Sequence, residues 1–203
     1  MKRSSEIQRT DLVYHYPTRR LEAESIRDSR LSVSGGMDLK LHGRSINPFR
    51  LAEDAAKRLF SGPLDGDGRR SLYLTMSIMA PPRFLSMFDL PDLRLPSGKR
   101  NVTSVPTQSL LLLTDPLVSP LAKHWGSEII KTQHASLEQR IDCMFVAALG
   151  RKPKDDTERH QWIGLLKQMA TLPDDSSNLM ADEQAWTQLA HTLFNSKEFI
   201  YYR

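Results

Sequence analysis

The sequence predicts a mainly α fold: an irregular helical bundle with a short strand and an irregular, Pro-rich central segment. Three observations carry that reading. Apolar residues recur at helical spacing beyond Val105, as in "SLEQRIDCMFVAALG" and "EQAWTQLAHTLFNSKEF". Capping and stop residues stand at the ends of those stretches. Between Gly35 and Pro106 the pattern breaks into turn sequences and a double proline, Pro81-Pro82. At 203 residues the chain can bury a core without disulfides or metal. One domain over 1–203 is expected, with a tail at 1–17, a helix plus the central segment at 18–116, and a C-terminal helical bundle at 117–203.

Taken in order, Thr18 is placed to cap a helix through about Ser34, rich in straight-chain helix formers and stopped by Gly35-Gly36. Its apolar stripe is thin, because Arg30 shares a face with Ala23, Ile26 and Val33. The mixed charges Arg19, Arg20, Glu22, Glu24, Arg27 and Asp28 read first as a solvated face. Arg and Asp locked into a polar core network is the sharper alternative. "LAEDAAKRLF" (Leu51–Phe60) is a candidate short helix, and "SGPLDGDG" is a tight turn. In "RSLYLTM", Leu72, Leu74 and Met76 alternate with Ser71, Tyr73 and Thr75, a brief strand signal. Pro81 and Pro82 end any regular element there, since neither has a backbone N–H.

Helices resume with Pro106 in a first turn and "TQSLLLL" up to Asp115-Pro116. "PLVSPLAKHWGSEII" continues as the next helix. Ser136 and Gln139 are spaced as a capping box, and Leu137, Ile141, Met144, Phe145 and Ala148 follow on one face up to Gly150. Trp162, Leu165, Leu166 and Met169 mark a further helix. Residues 172–183 read as a polar connection. Trp186, Leu189, Ala190 and Leu193 give the last apolar face.

The composition limits the chemistry. Lys and Arg number 28 against 24 Asp and Glu, a net charge of +4. Mean hydropathy is −0.44. That charge is too dilute for a dedicated nucleic-acid binder, although Arg69, Arg70, Arg83, Arg94, Lys99 and Arg100 hold most of the excess. No apolar run approaches the roughly 18 residues that span a bilayer. The opening "MKRSSEIQRTDLVYHY" lacks the apolar core of a signal peptide. The single cysteine, Cys143, excludes an internal disulfide and a thiolate-rich zinc site, and its helical neighbours make it a structural thiol. The six histidines show no metal-ligand spacing. "DGDG" at Asp65–Gly68 lacks the later ligands of a calcium loop. No phosphate loop, nucleophile elbow or heme-attachment motif is present. No metal or cofactor is expected.

Four ordered blocks then carry a family resemblance: "RRSLYL", "APPRFLSMFDLPD", "KRNVTSVPTQSLLLLTDP" and "HTLFNSKEFIYYR". Together with "RRLEAESIRDSRLSVSG", this order resembles the planctomycete-type domain of unknown function 1553. Thr114 stands where the family usually has Asn before Asp-Pro, and Ser109 where it usually has Ala. "RSSEIQR" at Arg3–Arg9 looks like the tail of helices that precede this block in the family, so the chain is expected to be the C-terminal part of such a domain. The resemblance implies companion domains, including a cytochrome-c-like one, and a location in the cell envelope or periplasm. It implies no reaction. Two functional expectations follow. In the first, Arg69, Arg70, Asp89, Arg100, Asn101, Gln108 and Asp115 form a buried polar network in a structural or interaction module. In the second, the same Arg/Asp cluster binds or hydrolyses an anionic or carbohydrate ligand, with Asp89 or Asp115 as general base.

Overall fold

A computed structural model of the protein describes residues 18–132, 136–170 and 176–202. The expected tail at 1–17, including Arg3–Arg9 and His15, lies outside these residues, as do His134 and part of the 172–183 connection. The architecture is mainly α. Helix α1 (Ala23–Val33) leads into an irregular segment that contains the short α2 (Arg83–Met87). Then follow α3 (Pro106–Thr114), α4 (Val118–Lys131), α5 (Leu137–Leu149), α6 (Asp156–Met169), α7 (Ser176–Ala181), α8 (Glu183–Asn195) and α9 (Lys197–Ile200). Strands β1 (Arg19–Arg20) and β2 (Tyr201–Tyr202) pair antiparallel, Arg19 opposite Tyr202 and Arg20 opposite Tyr201. This pairing brings the beginning of α1 against the end of α9.

The bundle forms where the periodicity placed it. Pro106 occupies the first turn of α3, and Ser136 Oγ caps α5 by accepting from Gln139 N. Gly150, in the left-handed conformation, ends α5. The most extensive helix–helix contact is between α4 and α8. It is close because position 126 is glycine: a Cβ there would stand 2.8 Å from Thr187 N. Trp125 stacks on Phe194 with ring centroids 5.1 Å apart, and Phe145 meets Trp162 edge-on at 5.2 Å. Trp186, Leu189, Ala190 and Leu193 are all buried.

Five local expectations are corrected. The first helix starts at Ala23, not Thr18, because Arg19 and Arg20 are held extended by β2. Leu51–Phe60 forms turns and an Asp54–Leu59 bridge instead of a helix, because the Asp54 carboxylate accepts from Lys57 N and Leu51 has no core to enter. The strand signal at Leu72–Met76 becomes a 3-10 turn at Ser71–Tyr73, followed by one parallel bridge between Leu74 and Ile46. Leu72 points outward, so the alternation did not mark a buried face. Cys143 is exposed, not packed in the core. Within the expected polar connection lies α7, whose Leu179 is buried and accepts the Trp186 indole N–H at 2.9 Å.

Candidate functional site

The first helix is the source of the site, and its charges do not form a solvated face. Arg20, Arg27 and Arg30 are buried, Arg30 completely. Arg27 and Arg30 follow the helical repeat of Ala23 and Ile26, and Arg20 precedes the helix in β1, so side chains that should fill the core carry guanidinium groups. Each arginine meets a different part of the irregular segment or the bundle.

Arg20 donates from Nη1 to Gln108 Oε1 at 3.0 Å and to the Thr103 carbonyl. From Nη2 it donates to the Phe88 carbonyl at 3.2 Å and to Asp89 Oδ2 at 2.6 Å. Asp89 also accepts from Thr103 N at 2.8 Å and from the Thr103 hydroxyl. Gln108 Nε2 completes the cluster by donating to the Met87 carbonyl at 3.0 Å and to Thr103 Oγ1. Burial raises the Asp89 pKa, but the bonds from Thr103 and Arg20 outweigh it and the net shift is downward. The backbone explains why an aspartate stands here. Leu90 N donates to the Leu85 carbonyl and Asp89 N to the Ser86 carbonyl, which closes α2 in a Schellman turn. Asp89 occupies its left-handed position with φ 63°, where Asp is tolerated better than most residues.

Arg27 builds the second cluster. Nη1 donates to the Arg69 carbonyl at 2.9 Å and to Ser71 Oγ at 3.2 Å, and Nη2 donates to the Asp65 carbonyl. The Ser71 hydroxyl and backbone N–H both donate to Asp28 Oδ1, at 2.6 and 2.8 Å. Burial pushes the Arg27 pKa down, and the charge of Asp28 opposes it. Arg69 lies in the same lobe, its guanidinium 3.9 Å above the Tyr73 ring and Nη2 2.7 Å from the His42 carbonyl. Its turn depends on Gly68, whose φ is +69° and whose missing Cβ would fall 2.1 Å from the Gly36 carbonyl oxygen.

Arg30 faces rings. Its guanidinium lies within 5.1 to 6.0 Å of the Phe199, Phe194 and Phe84 centroids. Nη1 donates to the Ile26 carbonyl at 2.8 Å, and Nη2 to the Phe194 carbonyl at 2.7 Å. The second acceptor belongs to the C-terminal turn of α8, the end of a helix that favours a cation. Burial drives the Arg30 pKa down, with the charge of Asp115 acting in the opposite sense.

Of the residues singled out from sequence, Asp89 and Gln108 share the Arg20 cluster, and Arg69 lies beside the Arg27 cluster. Arg100 sits at the edge, paired in a fork with Glu24 at 2.7 and 3.1 Å. Asp115 is buried elsewhere. Arg70 and Asn101 are exposed and make no side-chain hydrogen bond among the described residues. The site set read from the sequence left out Arg30, Ser71 and Thr103, while Arg20 and Arg27 entered only through the alternative of an Arg/Asp core network. The signal for the arginines was present in the thin apolar stripe of the first helix.

What these groups can do chemically is limited by what they already touch. The guanidinium groups of Arg20 and Arg27 face carbonyl and carboxylate oxygens of the protein itself. Among the described residues there is no cluster of three or more His, Cys, Asp or Glu side chains suited to a metal ion. No described helix is long and apolar enough to cross a membrane.

A family model, PSD1, described as a protein of unknown function (DUF1553), matches residues 2–163. The chain belongs to this family. The match takes in α1, the whole central segment and the Arg20 and Arg27 clusters, and it ends within α6. No curated protein and no solved structure matches the chain.

Proposed function

We propose that the chain is a non-catalytic helical module of a larger envelope-associated multidomain protein, and that its central segment docks a companion domain. One observation carries the reading: the central segment is fixed from beneath by arginines and by Phe84, Leu85 and Phe88, while several of its large apolar side chains face outward. Leu51 and Leu72 are each 78% exposed, and Leu93, Leu95, Val102 and Val105 are exposed within one stretch of chain. Exposed apolar surface of this kind supports protein–protein contact. The partner class comes from the family resemblance, which implies a cytochrome-c-like companion. The alternative, an anion or carbohydrate site made by the Arg/Asp cluster, has less support because those guanidinium groups are engaged by protein acceptors.

The test is a calorimetric titration of the chain with a separately expressed cytochrome-c-like domain from a family member. Saturable binding is expected, weakened at least tenfold by the double substitution Leu72→Asp, Leu95→Asp with the circular dichroism spectrum unchanged. Binding that ignores the double substitution, or no binding at all, overturns the docking reading.

A further inference from the structure

A cleft of about 260 Å³ lies between the irregular segment and the junction of α3 with α4. Its walls are apolar: Pro48, Phe49, Leu51, Leu64, Pro82 and Leu117 are among them. Asp115 also lines it. This residue is only 8% exposed, and its Oδ1 accepts the Leu117 N–H at 2.9 Å. Among the described residues its second oxygen, Oδ2, has no hydrogen-bond donor and no ion-pair partner within 4 Å. That oxygen is not fully enclosed, so it is reachable and can accept from a donor supplied from outside.

The surroundings select the donor. Arg27, Arg50 and Arg83 also line the cleft, and Arg50 donates to the Ala80 carbonyl. A cationic ligand would meet these charges, and an anion would meet Asp115. Burial raises the Asp115 pKa, opposed by the Leu117 N–H and by the charges of Arg83 and Arg30. Size and wall chemistry add a flat apolar body, since a cavity of about 150 Å³ already accepts benzene.

We infer that this cleft is a binding site for a small, uncharged aromatic molecule bearing one N–H or O–H donor, which Asp115 Oδ2 accepts while the proline, leucine and phenylalanine walls hold the ring. The site shares Leu51 with the proposed docking surface but contains neither Leu72 nor Leu95, and it uses none of the hydrogen bonds of the Arg20 cluster. It fits the usual anatomy of a ligand pocket, mostly apolar with few convergent polar groups.

Indole and 1-methylindole are the probes, alike in shape and differing in the donor. Titrations followed by ¹H–¹⁵N NMR should shift the cleft residues, with indole bound at least fivefold more tightly than 1-methylindole. In Asp115→Asn the amide oxygen can still accept from Leu117 N, which turns an NH₂ group into the cleft in place of an acceptor. The preference for indole should then vanish, with the spectrum of the bundle unchanged. Ala52→Trp, which fills the cleft from its exposed wall, should abolish binding of both probes. Equal affinity of the native chain for the two probes, or indole shifts that persist in Ala52→Trp, overturns the site. If Asp115→Asn does not fold, the native preference and the Ala52→Trp result decide it alone.

Discussion

From Val118 to Phe194 the chain is held by rings and aliphatic side chains, whereas from Gly35 to Val105 it is held largely by guanidinium groups. In the bundle, regular helices pair their own N–H and C=O groups, so apolar burial of Trp125, Phe145, Trp186 and Leu193 is enough to fix them. The central segment has no ladder to absorb its carbonyls. Arginine supplies the missing donors: Arg27 to Asp65 and Arg69, Arg20 to Phe88 and Thr103, Arg69 to His42 and Arg50 to Ala80. One side chain with five N–H groups in a planar fork reaches carbonyls that no neighbouring strand could pair. Irregular backbone is therefore stabilised here by long-range side-chain donors, from the first helix and the strand before it and from the central segment itself.

The largest effect should come from removing one of those donors. Arg27→Ala leaves the Asp65 and Arg69 carbonyls without their donor and removes the ion pair to Asp28, which keeps its bonds from Ser71, at a cost of roughly 3–5 kcal/mol. Urea unfolding measures the loss. Hydrogen exchange should localise it to residues 36–75, with α4 and α8 still protected. Arg27→Lys should rescue little, because an ammonium group cannot span the same acceptors. Equal loss of protection in α4 and α8 would show that the two regions unfold together and that the contrast between them is only one of composition.

That contrast also explains what was legible in the sequence. The bundle was read correctly because apolar spacing, Ser136, Pro106 and Gly150 act locally. The central segment was misread at Leu51–Phe60 and Leu72–Met76, where outward leucines imitate the periodicity of buried ones. Within the polar cluster Asp89 and Gln108 were recognised as needing partners, while Arg70 was placed beside Arg69 by adjacency. Consecutive residues in extended backbone point opposite ways, so Arg69 turns inward and Arg70 outward. Arg30 was visible within the thin apolar stripe and Arg20 and Arg27 among the mixed charges, but their long-range partners lie 38 to 164 residues away, a distance no local pattern spans.

A smaller effect is expected where the bundle is tightest. Gly126→Ala places a methyl 2.8 Å from Thr187 N and 2.9 Å from Thr187 Cα, so α4 and α8 must part. Overpacking of this kind costs about 1–3 kcal/mol. Thermal unfolding should show the loss, while exchange in residues 36–75 stays as in the native chain. Central amides that loosen in step with α4 would overturn that separation.

The smallest effect lies on the surface of the bundle, where Arg151 ties α6 to α9. Its Nε and Nη2 donate to Glu198 at 2.6 and 2.7 Å, and Nη1 and Nη2 donate to Glu158 at 2.9 and 3.0 Å. Hydrogen bonds from Arg151 lower the Glu158 pKa from 4.5 to about 2, against an opposing effect of burial and helped by the Lys154 N–H. A folded pKa below the unfolded one means that the contribution is complete above pH 4.5 and is lost as pH falls towards 2. Arg151 and Glu158 are about a quarter exposed, at 24% and 23%, so solvent screening holds the gain to about 1 kcal/mol or less. Glu158→Gln should therefore lower stability slightly at pH 7 and flatten the decline between pH 4.5 and 2. The residual decline comes from carboxylates that stay paired, among them Asp89 and Glu24 of the central clusters, whose pKa values are also held down. A pH profile of urea midpoints for the two chains separates the contributions. Unchanged steepness in Glu158→Gln would mean that Glu158 adds nothing to the acid dependence, which would then rest on the other carboxylates held down in the fold, Glu198 among them.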